Sequence, residues 1–257
     1  IGLLSIIYLY NHLKDKFNLD NNFSKLLIFS FWFYAFLHAR TSAENLSISM
    51  LIFGAIIFDK LFETKNENKK LLFAFLSGVF FGLSMVLKYH LVISVFFVYV
   101  WFLSTKFDLK YLKYILCNSS IIILVLILGL LVDYFGYGFL NNTYYKYYGS
   151  NITNKMFEKF GVHPWWYYFK LIIESYFPPV SILVLISIFY FWLKNPKNLF
   201  TYLTLPVFII LSVFFVHKEL RFIFPILIFS PFFLSYLFTN TGVFFAKTFL
   251  INTVLFF

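Results

Sequence analysis

The sequence predicts an all-α integral membrane protein, a multi-pass helical bundle, and three observations carry that prediction. Of its 257 residues 61% are hydrophobic and only 12% charged. Mean hydropathy is +0.82, well outside the range of soluble domains. The apolar residues also fall into runs separated by short polar breaks, and a bilayer core calls for about 20 mostly apolar residues per helical crossing. Such runs occupy 25–38, 46–58, 71–87, 91–104, 115–132, 171–193, 200–216 and 222–238. The second and fourth are short for a crossing, so tilt, re-entry or extension into their flanks is expected. Further apolar runs at 1–10 and 244–257 open and close the chain. It therefore reads as a single transmembrane domain, 1–257, a fragment with about eight full spans and two truncated ones.

The connections between the runs set the topology. Threading the spans alternately puts 11–24, 59–70, 105–114, 194–199 and 239–247 on one face, and 39–45, 88–90, the long loop 133–170 and 217–221 on the other. Thirteen of the 21 basic residues fall on the first face with Lys25 counted there. By the positive-inside rule that face is cytoplasmic. The second face is then the lumen of the endoplasmic reticulum in a eukaryote, or the periplasmic side of the inner membrane in a bacterium. The net charge of +10 is explained by these loop cations, and no nucleic-acid partner is implied. The single cysteine, Cys117, sits in an apolar run, which excludes an internal disulfide and a cysteine-based zinc site.

The second face carries Arg40, Glu44, Lys88, His90, Asp133, His217, Lys218, Glu219 and Arg221 close to the membrane surface. Any one of them alone is an ordinary interfacial anchor whose side chain snorkels to the headgroups. Together they favour a site, because ionisable groups at that depth line cavities, pair or handle substrate. The sharpest group is His217-Lys218-Glu219-Leu220-Arg221-Phe222, followed by Pro225 and wedged between two apolar runs. If Arg221 opens a helix, Lys218 and Arg221 face one pocket and Glu219 orients one of them. Two cations and an imidazole suit a phosphate headgroup, with Arg as a forked donor and Lys as a point charge. The alternative is a salt-bridged tight turn.

These residues match, position by position, the HKExRF signature of glycosyltransferase family 22, and the chain resembles that family from about 40 to 231. The family comprises polytopic mannosyltransferases that use dolichyl-phosphate-mannose to build glycosylphosphatidylinositol anchors and the luminal mannoses of the N-glycan precursor. In the long loop, residues 160–169 look like the family's YGxHPWxWYF stretch, with His163, Pro164, Trp165 and Tyr168 in place. Tyr167 stands where the anchor-pathway branch has Trp. Without the His-Pro pair this stretch would read as an interfacial aromatic belt. Asp133 followed by Tyr137-Gly138 resembles the motif opening the same loop, and Arg40-Thr41 with Glu44 and Asn45 resembles a further element with altered spacing to the acid.

The resemblance implies a GT-C type helical bundle with its active site at the luminal or periplasmic face. It implies a polyprenyl or dolichyl-phosphate sugar donor, a lipid-linked glycan acceptor, and membrane lipid around both. His217, Lys218 and Arg221 would bind the donor phosphate, with Glu219 orienting them. Asp133, His163, Trp165, Arg40 and Glu44 would bind acceptor or sugar. No cofactor is expected and no metal, since a lipid monophosphate donor does not require one and the chain has no Asp-x-Asp pair. The family's acidic element in its first luminal loop is not in this sequence, so the catalytic base is expected upstream of Ile1. Inversion of a β-linked donor would give an α-mannoside. Other readings are a bacterial polyprenyl-phosphate transferase for another sugar, a transporter, or a non-catalytic assembly subunit. A transporter would place charges at mid-span and interrupt its helices in a repeated way. Here the charges lie at span ends, and Pro178-Pro179 and Pro206 form no repeat.

Overall fold

The computed structural model describes residues 1–31, 34, 42–138, 149, 161–176 and 178–241, and among them every regular element is helical. In chain order these are α1 (Gly2–Leu13), α2 (Asn22–Ser30), α3 (Ala43–Glu63), α4 (Glu67–Leu87), α5 (Val92–Trp101), α6 (Leu112–Tyr137), α7 (Tyr167–Tyr176), α8 (Val180–Lys194), α9 (Leu199–Phe214), α10 (Phe224–Leu227) and α11 (Ser230–Thr241). The start of several is set by a side chain that accepts from an otherwise orphaned backbone N–H. Ser42 caps α3 by accepting from Asn45 at 3.2 Å, Asn66 caps α4 by accepting from Lys69 at 3.2 Å, and Asn198 caps α9 by accepting from Phe200 at 2.9 Å. At the other end of α6, Gly138 takes a left-handed conformation at φ +74°, and its N–H closes onto the Tyr134 carbonyl at 2.9 Å.

Among the described residues, four helical stretches are long and apolar enough to cross a bilayer: Ala43–Glu63, Glu67–Leu87, Tyr89–Lys106 and Leu109–Tyr137. Leu220–Leu227 and Ser230–Thr241, bent by 45°, make a fifth if taken as one span. The short runs 46–58 and 91–104 thus extend into their flanks, as anticipated. The run 171–193 is different, because it divides into α7 and α8 at Pro178-Pro179. Proline has no N–H to carry the helical ladder across such a junction. Most of the apolar surface of α6 faces outward, including Leu116, Ile123, Leu124, Ile127, Leu128 and Leu131. Such a surface is a match for lipid tails and a liability in water. The protein is a multi-pass integral membrane protein.

Helix pairing fixes which loops share an end. A Cβ on Gly82 would lie 2.7 Å from Val125, and one on Gly129 would lie 2.9 Å from Val86, so α4 and α6 approach backbone to side chain and run in the same direction. That parallel pairing requires α5 to return between them. At one end, Phe62 meets Tyr111 and Trp101 at ring separations of 5.0 and 5.6 Å, and the Trp101 indole donates to the Lys197 carbonyl at 3.0 Å. At the other end lie Glu44, the 88–90 segment, the 161–168 segment and the 217–222 turn. The core between them is dense in buried phenylalanines such as Phe58, Phe81, Phe200, Phe229 and Phe233.

Candidate functional site

After α9 the chain bends at 216–217 and re-enters helix as a 3-10 turn, Leu220–Ile223. Glu219, with φ −124° and ψ 147°, lies between the two. Its carboxylate is the hub of the turn. One oxygen accepts from the Arg221 Nη2 at 2.9 Å and faces His217 Nε2 at 2.9 Å, and the other pairs with Arg221 Nε. The second ring nitrogen of His217, Nδ1, faces the Gly161 carbonyl at 3.2 Å. Both neighbours of that ring are acceptors, so a neutral ring satisfies one of them and a protonated ring both.

Lys218 points the other way. It is only 4% exposed, and its ammonium donates to the carbonyls of Phe215 at 2.5 Å and His163 at 3.2 Å. The His163 N–H in turn donates to the Val216 carbonyl at 3.0 Å. These bonds stitch the loop 161–163 to the end of α9. Gly161 makes the stitch possible, because its φ of +99° lies where a side-chain-bearing residue is strained. The expectation that Lys218 and Arg221 share one pocket therefore resolves into two roles for adjacent cations. Lys218 holds the loop from inside, with one N–H left over, while Arg221, its side chain 51% exposed, is presented outward on Glu219.

The His163 imidazole stacks on Tyr167 at 3.9 Å with an interplanar angle of 8°, and its centroid is 5.9 Å from that of His217. Among the described residues Trp165 stays 63% exposed and makes a T-shaped contact with Phe169, as a residue of an interfacial belt or sugar platform would. Glu44 opens α3 and pairs with Lys88 Nζ at 2.5 Å. The Arg221 charge acts on Glu44 and on His90, whose ring lies edge-on to Phe222 at 5.8 Å. Glu44 thus joins the turn. Asp133 lies one helical turn past Gly129, at the same end of the bundle but on the lipid-facing helix α6. Arg40 lies outside the described residues. Of two residues given no role from sequence, Lys88 pairs with Glu44 and His90 packs on Phe222, the neighbour of Arg221. Their one advance signal was a short connection on the correct face.

Burial and the charges of His217, Lys218 and Lys170 hold the His163 imidazole below its ordinary value of 6.5. Burial likewise lowers the Lys218 ammonium. Burial would raise the Glu219 carboxyl, but its bonds to His217 and Arg221 outweigh that and keep it below its ordinary 4.5. For both His163 and Glu219 the unfolded form binds protons more readily, so the packing of loop on turn gains stability as pH rises. The His163 share is complete above 6.5 and is lost as pH falls below it; the Glu219 share is lost only below 4.5. Hydrogen exchange across 161–168 should therefore be slow and constant above pH 6.5 and should accelerate, after correction for intrinsic rates, on acidification. Growing protection in acid would contradict this assignment.

Among the described residues, His12, Asp59 and Glu63 place ligand atoms within 4.8 Å of one another. The Lys16 ammonium already occupies that cluster, 2.6 Å from Asp59 and 2.5 Å from Glu63. It is an ion-paired clamp between the loop after α1 and the end of α3, at the end of the bundle opposite the 217–222 turn.

The whole chain, residues 1–257, matches the model of the Alg9-like mannosyltransferase family. No curated protein and no solved structure matches it. A family match over the full length, on an all-helical membrane fold with the HKExRF turn stitched to the His-Pro loop, leaves one conclusion: the chain belongs to the Alg9-like mannosyltransferase family, glycosyltransferase family 22, and is a membrane-embedded mannosyltransferase.

Proposed function

We propose that the protein is an inverting transferase that moves mannose from a polyprenyl (dolichyl) phosphate to a lipid-linked glycan, forming an α-mannosidic bond at the luminal or periplasmic end of the bundle. The observation that carries this reading is the outward Arg221 guanidinium, held by both carboxylate oxygens of Glu219 beside a second ion pair, Glu44–Lys88. Breaking the glycosidic bond of such a donor leaves negative charge on a phosphate at the membrane surface. A preorganised forked cation is suited to receive it. Glu219 and His217 fix the orientation of that cation, and Lys218 with His163 fixes the loop over it. Trp165 and His163 offer flat faces to sugar rings, while Glu44 and Asp133 are acidic groups at the same end for acceptor hydroxyls.

The deciding experiment supplies membranes containing the protein with either polyprenyl-phosphate-mannose or a nucleotide-mannose donor, with endogenous lipid acceptors present. Transfer from the lipid donor alone, into a product cleaved by α- but not β-mannosidase, is the expected result. Transfer from the nucleotide sugar in membranes depleted of lipid-phosphate donor would defeat the proposal.

A further inference from the structure

The 88–90 segment contains a group that the mechanism above does not use. His90 is 8% exposed and makes T-shaped contacts with the Tyr89 and Phe222 rings at 6.0 and 5.8 Å. Among the described residues its ring contacts are these two rings and its electrostatic neighbours are Lys88, Glu44 and Arg221; no hydrogen bond to either ring nitrogen is formed. Although the residue is largely buried, its nitrogens are not among the side-chain atoms sealed inside without a partner, so the imidazole can still bond to a group arriving from outside the chain. The surrounding charges indicate the chemistry of such a group. Two of the three are cations on opposite sides in sequence, Lys88 next door and Arg221 from the turn.

Each of those cations is parked on a carboxylate, Lys88 on Glu44 and Arg221 on Glu219. Both can turn toward an arriving anion, while the neutral ring offers one N–H. Resting on the donor assignment above, we propose that His90, with Lys88 beside it, binds the phosphate of the lipid donor from the side opposite the 217–222 turn. The phosphate would sit between Arg221 and the 88–90 segment, with its lipid tail leaving along the apolar surface of the bundle. Glu44 then acts on Lys88 as Glu219 acts on Arg221, holding the cation in place until substrate arrives.

The test uses the full chain in lipid nanodiscs and polyprenyl phosphate as probe, since that molecule keeps the phosphate and lacks the sugar. His90→Phe preserves an aromatic ring against Phe222 but removes both nitrogens. It should weaken polyprenyl phosphate binding about 10- to 100-fold, the loss expected for one hydrogen bond to a charged group. It should also raise the KM for polyprenyl-phosphate-mannose by a similar factor, with a much smaller change in kcat. His90→Gln, which keeps a donor, should recover most of the loss. Lys88→Met, at a partly exposed position, should weaken the probe in the same direction and serves as the reading if His90→Phe does not fold. Undiminished polyprenyl phosphate binding in folded His90→Phe overturns the proposal. That holds both if donor KM is unchanged, which makes the ring a packing residue, and if only donor KM rises, which makes it a reader of the sugar. A wild-type protein that does not bind polyprenyl phosphate would instead sink the donor assignment itself, so the two failures are separable.

Discussion

Replacing Arg221 by alanine should lower kcat about 100- to 1000-fold, the usual cost of removing one preorganised donor from a centre of developing negative charge. The folded protein should accumulate in membranes as before. The side chain is 51% exposed, and its polar contacts are to Glu219 at the edge of the turn, so little packing is lost with it. A uniform loss of binding would raise KM alone, whereas a group that meets charge only as the bond breaks lowers kcat. Arg221→Lys should recover part of the rate, since a lysine supplies the charge but not the fork that Glu219 grips through two oxygens. Initial rates at saturating polyprenyl-phosphate-mannose measure this directly. Full retained activity in Arg221→Ala would remove the residue from the site.

The parts of the candidate site that were legible in the sequence are those built from contiguous residues. His217, Lys218, Glu219 and Arg221 announce themselves by standing together between apolar runs, and His163, Pro164 and Trp165 do so in one loop. The joining of Glu44, Lys88 and His90 to them was visible only as a shared face in the threading. Those residues come from the start of α3, the end of α4 and the turn before α5, and nothing local in any of them points at Arg221. Their contact is a product of helix packing, ultimately of close approaches such as Gly54 on Phe81, where a Cβ would lie 2.6 Å from the ring.

The inward direction of Lys218 was not legible for a different reason. A helical spacing argument puts residues three apart on one face, but here Glu219 is extended and the helix that follows is a 3-10 turn. The register linking Lys218 to Arg221 is therefore broken at the residue between them. Neighbouring cations can then face opposite ways, one to carbonyls in the interior and one to the outside. The break at Pro178-Pro179 within the apolar run 171–193 shows the converse: hydropathy alone passes smoothly over a junction that the backbone cannot.

Lys218→Met should lose activity as severely as Arg221→Ala but by another route, with a measurable fall in thermal stability. The substitution keeps an unbranched chain of similar length in a site that is 4% exposed, so volume is nearly preserved. What it removes is the donor to Phe215 and His163, leaving two carbonyls short of a partner at about 1–3 kcal/mol each. Relief of the burial that lowers the ammonium's proton affinity returns part of that loss. The remainder falls on the joint between loop 161–163 and the end of α9, and thus on the Gly161 carbonyl that His217 faces and on the platform of His163 and Trp165. Because Lys218 reaches His163 through its backbone carbonyl, His163→Ala should leave that bond in place and lose mainly the stacking of the ring on Tyr167, with a smaller fall in stability than Lys218→Met. Arg221→Ala and Lys218→Met should instead differ in kind: the first inactive and stable, the second inactive, less stable, and with fast hydrogen exchange across 161–168. A Lys218→Met protein with wild-type melting and exchange, but no transferase activity, would move Lys218 out of the scaffold and onto the donor phosphate.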